Sequence, residues 1–301
     1  MSGNSKYMVL GSFVGDSLAL GVHWIYEQER IAGLGRLTGL AAPQPGSYHK
    51  NKQAGDFTHY GDQTLVLLTS LAEKGSFDPD DFSARWRAML EGGYAGYVDR
   101  ATKNALSQLA AGWDPVDAGS TSDELAGASR IAPLVHALRS DPEAMALACR
   151  AQTRLTHNNA KILDAAEFFA RTAHEALGGL PPSEGMVKAL DCRFPGSPLH
   201  EWFREAQAAA GEDSVTAVAR FGQSCHVDGA FQATVQLILK GQDAPAEALV
   251  DSAMAGGDSA ARNMLVGMVL CAWKGEGALP QAWIDGLKKK GEIDSLLDKI
   301  G

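Results

Sequence analysis

The chain is poor in cysteine and spaces what it has widely. Cys149, Cys192, Cys225 and Cys271 lie 33 or more residues apart, and none forms the Cys-x-x-Cys pair of a zinc site or a thioredoxin-like motif. They read as reduced, mostly buried thiols. No two of the eight histidines stand three to five residues apart, so no local histidine clamp for a metal is built. Apolar runs fall short of the roughly 18 residues a membrane span needs, and Asp16 interrupts the N-terminal apolar stretch after Lys6 before a signal-peptide core is complete. The expected address is the cytoplasm. Basic residues are in deficit, 27 against 36 acidic ones, for a net charge of −9. That sign repels phosphate backbones and anionic lipid, so neither nucleic acid nor a membrane is an expected partner. Nucleotide loops are missing too. There is no Walker A sequence, and Gly33-Leu34-Gly35-Arg36-Leu37-Thr38-Gly39 is one residue off the dinucleotide fingerprint and runs toward Pro43 and Pro45, not into a helix.

What remains is a chain of 301 residues, 45% hydrophobic and 21% charged, able to bury a core without staples. Apolar residues recur at three- and four-residue spacing and rarely alternate, which predicts an all-α architecture of roughly a dozen helices. Asp78-Pro79 opens one helix and Asp141-Pro142 another, each with an Asp N-cap and Pro at the first helical position. Other helices are expected over 7–24, 63–73, 159–177, 199–210, 229–239, 244–254 and 259–273. The segments 41–56 and 112–127 are the longest loops and candidate site walls, and neither divides regions of different composition, so residues 1–301 are expected to form a single domain. Gly11 and Gly15 sit four apart in the first helix. Glycine costs about 1 kcal/mol in a helix interior, so that spacing implies close approach of another backbone or a ligand.

Four segments place polar groups at helix ends or on small-residue faces. They run from Gly11-Ser12-Phe13-Val14-Gly15-Asp16 to His23-Trp24, then His59-Tyr60-Gly61-Asp62-Gln63-Thr64, Arg154-Leu155-Thr156-His157-Asn158-Asn159 and Gly256-Gly257-Asp258-Ser259. Helix capping is the plain explanation for Asp62 and Asp258, and closing a helix is the plain one for His157. Asp16, in the middle of an apolar helix, needs a partner or a function.

Taken in this order, with the stretch Ser129-Arg130-Ile131-Ala132-Pro133-Leu134, these segments resemble the ADP-ribosylglycohydrolase family, which includes the dinitrogenase-reductase-activating glycohydrolases and a J1-crystallin-like branch. The resemblance implies a compact all-α multi-helix domain. It also implies hydrolysis of an N- or O-glycosidic bond of ADP-ribose, with two Mg²⁺ ions positioning the ribose hydroxyls and a water. The ligand implied is a small ribosyl or ADP-ribosyl molecule or an ADP-ribosylated protein; the oligomeric state is left open.

The departures from the family pattern fall on its metal ligands. Its Thr-Asp-Asp-Thr reads Gly61-Asp62-Gln63-Thr64 here, its Asp-x-Asp-Ser/Thr reads Asp258-Ser259-Ala260-Ala261, and a glutamate near the N-terminal motif falls at about His23. Two carboxylates and an amide compensate four positive charges poorly. Mg²⁺ is therefore expected to be absent, or reduced to one weakly bound ion on Asp62 and Asp258. In a metal-free hydrolase Asp62 and Asp258 would form a carboxylate pair, and His23 or His157 would protonate the leaving group. Asp16, Gln63, Thr64, Tyr60, His157 and Gly257 would line the ligand. A nucleotide-binding protein without activity and a crystallin-like structural protein are the alternatives.

Overall fold

The computed structural model describes residues 2–191 and 194–300, so Cys192 lies outside the described residues. Sixteen α-helices follow one another there. They are α1 (Ser2–Ala19), α2 (Gln28–Gly33), α3 (His59–Lys74), α4 (Pro79–Glu91), α5 (Arg100–Ala110), α6 (Ala132–Ala137), α7 (Pro142–Arg154) and α8 (Ala160–Leu177). After these come α9 (Pro182–Asp191), α10 (Leu199–Ala208), α11 (Ser214–Phe221), α12 (Val227–Gly241), α13 (Pro245–Met254), α14 (Ser259–Lys274), α15 (Gln281–Asp285) and α16 (Lys290–Ile300). Leu125–Ala128 adds one 3-10 turn. Among the described residues no strand forms, only isolated bridges pairing Ser120 with His157 and Glu124 with His226. The fold is all-α, as the spacing of apolar residues predicts. Extra helices beyond the expected dozen include α2, α6 and α15, each of five or six residues and too short to display a period.

Capping chemistry fixes several boundaries. The Asp78 carboxylate accepts from the amides of Asp80 and Asp81, and that of Asp141 from Glu143 and Ala144, with Pro at the start of each helix. Asp99 caps α5 through the Thr102 amide, and Thr58 caps α3 through Tyr60. One hydrophobic core draws on side chains from α1 to α16.

At its centre α1 lies antiparallel to α14. Every residue of α14 from Ser259 to Ala272 is buried, the environment of a helix surrounded by other helices. A Cβ on Gly267 would stand 2.2 Å from the carbonyl oxygen of Gly11, and one on Gly15 would stand 2.3 Å from that of Asn263. The glycine spacing of α1 therefore serves a helix and not a ligand. Asn263 fixes the crossing by donating to the carbonyls of Gly15 and Leu249 at 3.2 and 3.1 Å. This crossing brings the end of α1 to the start of α14, where the motif residues meet.

Candidate functional site

Beyond α1 the chain turns through residues 20–24, and Trp24 takes a left-handed φ of 63°. That turn lets the amide of Trp24 donate to Gly257 O at 2.9 Å, while the Gly257 amide donates to Ile25 O at 2.8 Å. Gly257 has φ 68°, and a Cβ there would lie 2.0 Å from Gln223 O. Close backbone packing accounts for this glycine. The paired backbones place His23 beside Asp258.

Asp258 occupies the N-cap position of α14, yet its side chain makes no capping hydrogen bond. The carboxylate turns inward. Tyr60 OH donates to Oδ2 at 3.2 Å, His23 Nε2 stands 3.8 Å from Oδ1, and Oδ1 itself has no hydrogen-bond donor among the described residues. Burial raises the Asp258 pKa to about 6, with the Glu124 charge adding and His59, Arg262 and Tyr60 opposing. His23 Nδ1 accepts from the Ala260 amide at 3.3 Å, so its proton sits on Nε2. Burial, joined by His49 and His59, holds the imidazole well below the ordinary histidine range. A neutral ring is poorly suited to protonating a leaving group, the role expected of His23 from the sequence.

The other motif residues go elsewhere. Asp16 is fully buried against the start of α3, where its two oxygens accept from the Thr58 amide at 2.7 Å and the Thr58 hydroxyl at 2.5 Å. It anchors the turn that carries Tyr60. Asp62 lies in the first turn of α3, which Thr58 caps, so capping does not explain it. Its Oδ2 accepts from Lys52 Nζ and Tyr94 OH, both at 2.5 Å, and it lines a groove of about 550 Å³ with Leu65, Met89 and Tyr94. Gln63 points into the core, where its Oε1 accepts from Trp86 Nε1 at 2.8 Å and Arg130 at 3.3 Å. Thr64 donates to Tyr60 O within the helix. His157 contacts Thr156 Oγ1 at 2.8 Å, and its Nε2 lies 3.6 Å from Glu124 Oε2.

Tyr60, His23 and Asp258 are thus brought together, with Gly257 supporting them, and Asp62 belongs to a separate ion pair. An Asp16→Ala variant should lose about 2–3 kcal/mol of stability, because the Thr58 amide and hydroxyl lose their buried acceptor; Asp16→Asn keeps an acceptor. Burial raises the Asp16 pKa to about 6, against Thr58, above the roughly 3.9 of an unfolded chain. The folded form then binds the proton more tightly, and stability falls as pH rises from about 4 to 6. Chemical denaturation should show Asp16→Asn gaining on the wild type across that window by up to about 3 kcal/mol.

Trp24 and His59 belong to the motif segments of the sequence, whereas His49, Tyr97 and Asp99 join them without such a signal. His49 Nε2 contacts His59 Nδ1 at 3.3 Å, and His59 Nε2 lies 3.2 Å from Asp99 Oδ2. Trp24 stacks on His23 at 4.4 Å, and Tyr97 meets its edge at 4.8 Å. Burial, His59 and Lys52 push His49 down to about 3. His49 and Lys52 come from the long loop expected as a site wall. No local spacing marks them, because they join α3 only through folding of that loop. Arg130, from the Ser129–Leu134 stretch, is fully buried and donates to Gln63, Gln152 and Thr156.

These residues do not fit a magnesium pair. Asp62 is neutralised by Lys52, Gln63 faces Arg130, Asp258 faces a neutral histidine, and no group of three His, Cys, Asp or Glu side chains among the described residues could hold a metal ion. No helix among them is long and apolar enough to cross a membrane.

The profile of the ADP-ribosylglycohydrolase family matches residues 5–301. The chain belongs to that family. Crystallin J1B of Tripedalia cystophora is 26% identical, with 96% of this chain and 93% of the crystallin covered, and crystallin J1A of the same animal is 25% identical over 98% and 95%. A solved structure titled "ADP-ribosylglycohydrolase-related protein complex" superposes with a TM-score of 0.74 at 26% identity, covering 99% of this chain and 97% of that one.

Proposed function

We propose that this protein is a metal-independent member of its family that recognises an ADP-ribosyl or related ribosyl group and hydrolyses its glycosidic bond at Asp258. The supporting observation is the Asp258 carboxylate, which sits at an N-cap position without capping. It is 4% exposed, aimed at Tyr60 and His23, and has an oxygen without a donor. A carboxylate fixed in a low-dielectric pocket opposes the positive charge that develops on a ribosyl carbon as its glycosidic bond breaks. Tyr60 holds it by a hydrogen bond, and the His23 ring stands beside it. Cytoplasmic location and a single domain over 1–301 remain part of this reading.

Two assays test it together. ADP-ribose is titrated calorimetrically, and release of ADP-ribose is followed from ADP-ribosylated arginine and serine peptides, both in EDTA. Turnover supports hydrolysis, whereas binding without turnover supports recognition alone, a second reading favoured by the Lys52–Asp62 pair that leaves Asp258 without a carboxylate partner at that position. Silence in both assays contradicts both readings and leaves a structural role. Adding millimolar Mg²⁺ is expected to change the rate by less than about two-fold, since no donor set among the described residues awaits the ion.

A further inference from the structure

The groove beside Asp62 holds about 550 Å³, but the surroundings of Asp258 lead elsewhere. Asp258 N donates to Gln223 O at 2.9 Å, Leu125 N donates to Cys225 O at 2.8 Å, and Val227 N donates to Asp123 O at 2.8 Å. One short segment, residues 223–227, therefore holds both Asp258 and the chain around Glu124. Glu124 is anchored on three sides. Its oxygens accept from Ser122 Oγ at 3.0 Å and Cys225 Sγ at 3.4 Å, and His157 Nε2 stands 3.6 Å away. His157 holds the Glu124 carboxyl below its ordinary range against partial burial. Its negative charge bears on Asp258, Tyr60, Tyr26 and Cys225.

Unlike Asp62, Glu124 has no lysine or arginine ion pair in the described contacts, and its side chain is 30% exposed. It also lines a cavity of about 250 Å³ with Arg100, Asn104, Ser120, Ser122 and His226. Binding pockets for drug-sized ligands run to about 300–1,000 Å³, so this space suits the ribosyl end of a ligand more than a whole ADP-ribose. Arg100 supplies positive charge at its edge, where His226 pairs with Asp123 at 2.8 Å. Asp258 lies behind that lining, tied to Glu124 through residues 223–227 and within reach of its charge, and its buried Oδ1, without a donor, is the second acceptor.

We infer that Glu124, and not Asp62, is the second carboxylate of the ribosyl site, standing with Asp258 beside Cys225 and accepting hydrogen bonds from ribose hydroxyls. This rests on the ribosyl reading of Asp258. Where the family resemblance implies cations holding the ribose hydroxyls, two carboxylate acceptors take that task here, and charge-assisted acceptors are the stronger kind.

Cys225 reports on this place because it is half-buried, whereas Cys149 and Cys271 are fully buried. The experiment uses the full chain with ADP-ribose as probe. Alkylation of Cys225 by N-ethylmaleimide is followed by peptide mass spectrometry with and without ADP-ribose, and affinity is measured by calorimetry for wild type and Glu124→Gln. The expected result is at least five-fold slower alkylation of Cys225 with ADP-ribose bound, and affinity at least ten-fold weaker in Glu124→Gln. ADP-ribose that binds but leaves Cys225 unprotected, or binds Glu124→Gln as well as wild type, overturns the assignment while the ribosyl reading stands. No binding to the wild type overturns both.

Discussion

Asp258→Asn should lose ribosyl turnover by about 10²–10⁴-fold, the range for removing a positioned acid, base or charge at a reacting centre, while its melting temperature at neutral pH holds or rises. Asparagine caps a helix about as well as aspartate, and Asp258 makes no capping bond that the change would remove. The substitution also removes the charge whose burial raises this carboxyl to about 6, so above that pH stability should rise as it does for Asp16→Asn. Asp62→Asn is the contrasting case. It removes an ion pair whose side chains are 16% and 18% exposed. Such a pair is partly screened, so a loss of about 1 kcal/mol in stability is expected, with turnover within roughly ten-fold of wild type. Steady-state rates and thermal melts on both variants separate the two roles. Equal losses of turnover would restore the pairing of Asp62 with Asp258.

Gly267→Ala should destabilise the protein by about 2–3 kcal/mol, against the direction that helix propensity gives. Alanine gains about 1 kcal/mol over glycine in a helix interior, so propensity alone predicts a more stable protein. The added Cβ meets the Gly11 carbonyl oxygen at 2.2 Å and its carbon at 2.8 Å, however. Both are backbone atoms of a buried helix, which cannot swing aside as a side chain can. Overpacking of this kind costs about 1–3 kcal/mol or more and outweighs the propensity gain. Gly291, in the exposed first turn of α16 with nothing within 4 Å of a Cβ, is the control; alanine there should be neutral or add about 0.4–1 kcal/mol. Chemical denaturation of the two variants measures both signs. A stabilised Gly267→Ala would contradict the α1 to α14 crossing.

Much of the framework is legible in the sequence because its causes are local. The Asp-Pro pairs at 78–79 and 141–142 start helices as capping chemistry requires, and Gly11 and Gly15 announce a close approach, though not its partner. The site was readable only in part. Asp258, Tyr60 and His23 stand in recognisable motifs and do meet. Asp62 and Gln63 adjoin in sequence but point about 100° apart on a helix, one to Lys52 and the other to Arg130. Spacing alone does not reveal which face meets which neighbour. Lys52, His49 and Glu124 arrive from loops, where no period ties position to direction.

One measurement tests metal independence directly. ADP-ribose is titrated into the metal-free protein by calorimetry in EDTA, then again with millimolar Mg²⁺. The account predicts saturable 1:1 binding in EDTA, with an affinity that Mg²⁺ leaves unchanged within about two-fold, as a site without a magnesium donor set requires. Binding that emerges only when Mg²⁺ is added, or tightens ten-fold or more with it, would contradict it.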